Sequence, residues 1–201
     1  SIQMGSAKKI NKFFLIPVVS NFRENDMLHG GQGAPIGSYY HRYILKKITN
    51  NSAMVNLGGI SNITYYNKKI LVSFDMGPAN TILDNLMNFF YKKKFDKNGN
   101  IGRKGKLITS VLKEFKLDIF FKKKYPKSLD KDYFSKYVDI LKKYNPEDAL
   151  YTATIMTSES IYMGIQLLNQ RIKILVLTGG GRKNNFLFNN IIKKKKKLNI
   201  I

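Results

Sequence analysis

The chain has 201 residues, 43% of them hydrophobic, enough for one domain or two small lobes around a packed core. With no cysteine and only His29 and His41, a disulfide framework, a thiolate metal site and a histidine-rich metal site are excluded. A net charge of +22 suggests a polyanion partner. Lysine is nevertheless spread through almost every segment, from Lys8-Lys9 to the run 193–197, beside heavy use of Asn and Ile. These three residue types share A/T-rich codons, so genome composition accounts for the excess at least as well as binding does. Most aromatic residues sit at core spacing beside aliphatics rather than as platforms for bases. Nucleic-acid binding is therefore disfavoured.

No apolar run approaches the ~20 residues of a membrane-spanning helix, and the start carries no signal peptide. The chain reads as soluble and intracellular. It opens on Ser1-Ile-Gln-Met-Gly5, without an initiator Met, and closes on a basic run directly after a helix. A partial chain at both ends is expected.

In order, residues 7–15 have helical spacing that Pro17 stops. Residues 17–22 read as a short strand and 21–26 as a capped helical turn. A glycine-rich loop, 29–35, follows, with Pro35 suited to the first turn of a helix that runs to about Lys47. Three short strand-like runs, 53–57, 62–66 and 70–74, lie close enough together to predict an antiparallel meander. The third ends at Asp75, Gly77-Pro78 turns the chain, and the amphipathic segment to Tyr91 reads as helix. A loop (96–102), a helix (about 104–115), an irregular stretch (120–129) and a helix (132–144) come next. Asn145-Pro-Glu-Asp148 is a strong helix start, because Asn caps, Pro suits the first turn and acids favour the positive end of the dipole. That helix runs to about Asn169, with Ala153, Ser160 and Gly164 near one face for close packing. Residues 173–177 form a buried-type strand, and Thr178-Gly-Gly-Gly181 leads into a last helix of about 183–192. The order predicts an α/β domain with a mixed sheet.

Asp75 is the principal catalytic candidate. A carboxylate between strand and helix lies at the carboxyl end of a sheet, where open α/β folds place ligands, and it can take a proton from water or a hydroxyl. The alternative is a cap on the following helix. Two glycine turns, Asn56-Leu-Gly-Gly-Ile-Ser-Asn62 and Thr178-Gly-Gly-Gly-Arg-Lys-Asn184, are either tight turns or places where backbone amides approach phosphate. Arg23 and Asp26 are either an internal surface pair or a substrate-facing one. His41 reads as surface or half-buried rather than as a base. No P-loop, dinucleotide fingerprint or serine nucleophile elbow is present.

In order and spacing, Phe22-Arg23 to Asp26, Gly30-Gly-Gln-Gly-Ala-Pro35, Asn56 to Asn62, Phe74-Asp-Met-Gly-Pro-Ala-Asn80, Phe95-Asp-Lys-Asn-Gly99, Pro126-Lys-Ser128 and Thr178 to Asn184 resemble the anhydro-N-acetylmuramic acid kinases. The resemblance covers nearly the whole chain. It implies an actin-like, hexokinase-like (ribonuclease H-like) ATPase fold, an α/β mixed sheet with flanking helices and an incomplete first lobe. Residues 1–50 would be the remainder of the N-terminal lobe, and 51–201 a second lobe with a helical insertion at about 95–145. The implied reaction uses ATP and Mg²⁺ to phosphorylate O6 of 1,6-anhydro-N-acetylmuramic acid while water opens the anhydro ring, giving N-acetylmuramic acid 6-phosphate in cytoplasmic peptidoglycan recycling. By the same resemblance Asp75 is the base that activates the water. Gly58, Gly59 and Asn62 belong to the second phosphate turn, and Gly179, Gly180, Gly181 and Asn184 to the adenosine turn. Arg23, Gly31, Gln32, Gly33, Gly77 and Asn80 meet the sugar, no residue is assigned to a metal, and a homodimer follows by analogy. The family's first phosphate motif, Gly-Thr-Ser-x-Asp-Gly, and its C-terminal segment with a sugar-contacting Glu are absent from the sequence. Ser20-Asn21 stand where the family has a small residue and Asp. An inactive fragment of such a kinase and a basic nucleic-acid-binding module stay open as alternatives.

Overall fold

A computed structural model describes residues 5–194 and 199–201; residues 1–4 of the opening and Lys195, Lys196 and Lys197 of the basic run lie outside the described residues. The centre is a five-stranded mixed sheet. Its strands are β1 (Ser52–Leu57), β2 (Ile60–Tyr66), β3 (Leu71–Pro78), β4 (Ile174–Thr178) and β5 (Asn199–Ile200), in the spatial order β3-β2-β1-β4-β5. The first three are antiparallel neighbours, as their short connections require, and β4 and β5 run parallel to β1 after long crossovers. This is the expected mixed sheet with flanking helices.

The nine helices among the described residues are α1 (Ala7–Phe14), α2 (Glu24–Leu28), α3 (Ser38–Ile48), α4 (Asn80–Tyr91), α5 (Thr109–Lys116), α6 (Ile119–Lys122), α7 (Ser135–Leu141), α8 (Pro146–Leu168) and α9 (Asn185–Lys194). Alternation along the strands decides what each sheet face meets. Ala53, Val55 and Leu57 of β1, with Ile63, Phe74 and Leu175, pack on α8 and α9 through Ile161, Ile165, Leu187 and Ile191. On the other face Met54 and Tyr66 meet Leu45 of α3. A second core joins α4, α5, α7 and α8 around Phe115, Phe120, Phe134 and Tyr137.

α8 is the spine between the two large cores. The Asn145 side chain accepts from the Glu147 N–H at 2.9 Å, Pro146 occupies the first turn, and Glu147 and Asp148 follow, as the sequence leads one to expect. Ser160 and Gly164 give β3 its close approach. A Cβ on Gly164 would lie 2.8 Å from the Met76 side chain, and one on Gly77 would lie 2.6 Å from the Ser160 Cβ.

Several sequence expectations are corrected. Residues 17–22 form no strand: Val19 and Phe22 are exposed and no neighbouring strand supplies a ladder. Pro35 precedes α3 by three residues, because that helix starts at Ser38 after Gly37. The helix read from residue 104 begins at Thr109, behind a short 3₁₀ turn at Gly102–Lys104, and the one read over 132–144 is confined to Ser135–Leu141. The irregular stretch contains α6, and β5 is too short to be visible in the sequence.

The correction with most consequence concerns Asp75. β3 does not end there but continues through Gly77-Pro78, since β2 begins early enough to pair Ile60 with Pro78. Proline is tolerated because β3 is an edge strand. A bulge sets Asn62 opposite Asp75 and Ser61 opposite Gly77, with Met76 between. Asp75 is therefore not a helix cap, and α4 carries no side-chain cap.

Candidate active site

Strand register places Asp75 of β3, Asn62 of β2, Asn56 of β1 and Thr178 of β4 in one cross-sheet row. Partners in register point to the same face, so four polar side chains cross the sheet near the ends of β1 and β4. At neighbouring-strand spacing the row spans about 14 Å. One end is the candidate base, and the other leads straight into the Gly179 turn. Asn62 Oδ1 is buried and has no hydrogen-bond partner.

Asp75 is only 7% exposed. Its Oδ2 accepts from the Leu129 N–H at 2.8 Å, and its own N–H donates to the Lys127 carbonyl at 3.0 Å. Burial pushes its carboxyl up to about 6, against the lowering effects of the Leu129 hydrogen bond and the Lys127 charge. The segment holding it also reaches the glycine-rich loop, where Ser128 Oγ donates to Gln32 Oε1 at 3.3 Å. In that loop the Gly33 N–H donates to Asp26 Oδ2 at 2.7 Å, while Arg23 donates to the carbonyls of Gly33 (3.0 Å) and Gln32 (3.2 Å). A cavity of about 280 Å³ lies between this loop and β3, lined by Phe22, Gly31, Gln32, Gly33, Ser73 and Pro126. Arg23, Gly31, Gln32 and Gly33 are thus brought together in one loop, and Asp75, which does not line the cavity, reaches that loop only through the 127–129 segment. A Cβ on Gly31 would collide with the Asp26 carboxylate, and Gly33 has φ +63, so both glycines are required by the loop.

The two glycine turns meet on the other side. Gly179, at φ +82, passes so close to β1 that a Cβ would lie 2.5 Å from Asn56 Oδ1 and 2.7 Å from the Leu57 carbonyl. Asn80 Nδ2 donates to the carbonyls of Leu57 (3.0 Å) and Gly58 (2.8 Å), and its Oδ1 lies 2.9 Å from where a Gly181 Cβ would stand. Asn80, expected beside the sugar, is bonded to the Leu57-Gly58 backbone and packs closely on Gly181 of the other turn. The N–H groups of Ala79, Asn80 and Thr81 donate to the carbonyls of Gly58 and Gly59, so the start of α4 is already satisfied. Asn184 Oδ1 accepts from the Leu187 N–H at 3.0 Å and caps α9. A cavity of about 470 Å³ opens here, lined by Asn80, Leu83, Asp84, Phe95, Gly180 and Asn184 among others. Gly180 has nothing within 4 Å of where its Cβ would be. Gly77 does not line either cavity: at φ +151 it lies against Ser160 and Phe121.

The sequence profile of the family described as "Anhydro-N-acetylmuramic acid kinase" matches residues 1–200. The chain belongs to the anhydro-N-acetylmuramic acid kinase family. Relatives bearing that name include one from Legionella pneumophila (strain Paris), 37% identical over 190 residues, and one from Rhodopseudomonas palustris (strain ATCC BAA-98 / CGA009), 35% identical over 184. Each match covers 90% of this chain and 50% of the relative. A third, from Francisella tularensis subsp. novicida (strain U112), is 34% identical over 193 residues, covering 90% and 51%. The chain spans about half the length of the curated relatives it matches.

Four residues around these sites were not singled out by sequence reasoning. Lys127 and Leu129 hold Asp75 across more than fifty residues of sequence, a partnership with no periodic signal. Asn56 joins the row only through register. Asp84, whose carboxyl burial pushes up to about 6, lines the larger cavity from α4. The one available signal was the Pro126-Lys-Ser128 segment, a polar run inside a stretch otherwise rich in aromatic residues.

Proposed function

We propose that the protein carrying this chain is an ATP-dependent kinase that converts 1,6-anhydro-N-acetylmuramic acid and water to N-acetylmuramic acid 6-phosphate, for peptidoglycan recycling in the cytoplasm. Family membership supports the reaction class. The observation that carries the reading is the polar row from Asp75 through Asn62 and Asn56 to Thr178, with one cavity lined by Ser73, two residues before Asp75 on β3, and another lined by Gly180 and Gly181, just beyond Thr178.

In this reading the sugar occupies the cavity bounded by Gln32, Gly33 and Ser73. Asp75 accepts a proton from water as the water oxygen bonds to the anomeric carbon, the bond from that carbon to O6 breaks, and O6 takes up the γ-phosphoryl group. A carboxyl near 6 is ionised at neutral pH yet more basic than an exposed one, which suits a general base. Gln32, held by Ser128, and the backbone of the Arg23-clamped loop orient the sugar.

The larger cavity suits a nucleoside. Gly180 faces open space, and the Gly180-Gly181 backbone lines the cavity without side chains in the way. Gly58, Gly59, Asn62, Gly179, Gly180, Gly181 and Asn184 are assigned to ATP. Among the described residues no group of three His, Asp or Glu side chains is placed to hold a metal ion. Mg²⁺ would rest mainly on the nucleotide phosphates and water, as it commonly does, and would neutralise charge there. The strand order supports an actin-like lobe over residues 51–201, with 1–50 as the remainder of another.

The test is ATP-dependent phosphate transfer to the anhydro sugar by the protein and its Asp75→Asn variant. Loss of a general base costs about 10²–10⁴-fold; an unchanged rate would end the assignment of Asp75.

A further inference from the structure

Lys127 is a buried lysine, 6% exposed, that has no task in the proposed reaction. Its own segment is bonded to Asp75 at two points, through the Lys127 carbonyl and the Leu129 N–H. Its ammonium donates to the Phe120 carbonyl at 3.1 Å and sits 4.1 Å from the Phe120 ring centroid, with the Phe74 ring at 5.9 Å. One carbonyl and two ring faces are thin compensation for a buried group with three donors. The opposite charge on Asp75 acts on the ammonium as well, across a gap that no hydrogen bond or salt bridge closes. Because the ammonium is tethered to Phe120 rather than to the carboxylate, it stabilises the anion without taking the place of a proton donor.

We infer that Lys127 is a positioning residue, whose fixed buried charge holds Asp75 ionised at working pH while the 127–129 backbone aims the carboxylate. The inference rests on Asp75 acting as the base. The electrostatics agree with the geometry from both sides. The Lys127 charge lowers the carboxyl that burial raises, and the Asp75 charge raises the ammonium that burial brings down to about 8. The other charge acting on Lys127 is Lys123, which lowers it further. The residue opposite Asp75 on β2, Asn62, is neutral, and the one charge acting on the carboxyl is that of Lys127.

A lysine that merely packs its stem on Phe120 would leave the titration of Asp75 unmoved. The experiment follows the Asp75 side-chain carbon by NMR against pH in the wild-type protein, Lys127→Met and Lys127→Arg, beside the rate–pH profile of each. Lys127→Met is expected to move the Asp75 midpoint up by about one unit, the scale of a nearby opposite charge. Its rate should fall about fivefold at pH 6 and recover by pH 8, as the ionised fraction dictates. Lys127→Arg should restore most of the midpoint. An unmoved midpoint in folded Lys127→Met overturns the inference. Should that variant fail to fold, Asp75→Asn gives the reciprocal reading: the Lys127 ammonium must titrate lower, and no change overturns the coupling. A moved midpoint in a protein whose Asp75→Asn variant turns over normally would refute the base assignment and leave the coupling standing.

Discussion

Asn62 stands directly opposite Asp75 across β2 and β3, with its Oδ1 buried and unpartnered. Leaving a buried acceptor unmade costs about 1–3 kcal/mol. Under the proposed function a ligand donor would meet this oxygen. Asn62→Ala should leave the melting temperature unchanged or raise it, while turnover falls at least about tenfold, the effect of losing one polar contact near 1.4 kcal/mol. Thermal unfolding and steady-state rates on the same preparation check this. A clear loss of stability with normal turnover would place Asn62 in the framework instead.

Asp75 gives a prediction about stability as well as rate. Its folded-state carboxyl lies near 6, above the ordinary 3.8, so between those values the folded protein binds more protons than the unfolded chain. Stability contributed by this group is highest below about pH 4 and is lost as pH rises through 6. Asp75→Asn keeps an oxygen for the Leu129 N–H and removes the buried charge. It should stabilise the protein by roughly 1–2 kcal/mol at pH 8, allowing for compensation by Lys127, and by nearly nothing at pH 4. Denaturant midpoints at the two pH values measure the difference. A catalytic group that strains the fold it works in is a common trade-off.

The glycines separate framework from site. At Gly77 a Cβ would lie 2.6 Å from the Ser160 Cβ, on a backbone at φ +151, so Gly77→Ala should cost about 2–4 kcal/mol through strain and overpacking. At Gly180 a Cβ would enter open space at the edge of the 470 Å³ cavity. Gly180→Ala should melt within about 0.5 kcal/mol of wild type, as surface substitutions do. Its ATP affinity should nevertheless fall, because a methyl group then occupies the approach to the backbone. Calorimetry with ATP beside thermal melts tests the contrast.

Local rules made much of this fold visible in advance. Short strand-like runs disclosed β1 and β2, a continuous apolar run disclosed β4, and Asn145-Pro146 fixed the start of α8 to the residue. What escaped was set by partners distant in sequence. β3 outlasts Asp75 because β2 starts early, and β5 exists because β4 offers it an edge. Residues 17–22 have strand composition but no neighbour to pair with. The same limit governed the site. Asp75, Gln32 and the glycine turns are written in short motifs. The hold of Lys127 and Leu129 on Asp75, the Asn56 position in the row and the contact of Asn80 with both turns arise from register and packing. What faces Gly77, Ser160 of α8 and Phe121, shows only once α8 is in place.

The last prediction concerns how α9, which follows the Gly179–Gly181 turn, is fastened. Glu159 on α8 is 7% exposed, and its two oxygens face Lys194 at 2.6 Å and Lys116 at 3.8 Å. The contacts are unequal. Lys194 is the less exposed, makes a short charge-assisted hydrogen bond and lies 5.6 Å from the Tyr162 ring, whereas Lys116 is largely in solvent. Removing a partner from a fully buried pair costs about 3–5 kcal/mol. The solvent reaching Lys194 reduces this, so Lys194→Met should destabilise by roughly 1–2 kcal/mol, against less than about 0.5 for Lys116→Met, an exposed contact. Added salt should shrink the Lys116 effect first, since screening acts on exposed charges before buried ones. Urea unfolding of both variants at low and high salt decides it; equal effects would mean that Glu159 is served by general positive field rather than by the α8–α9 contact.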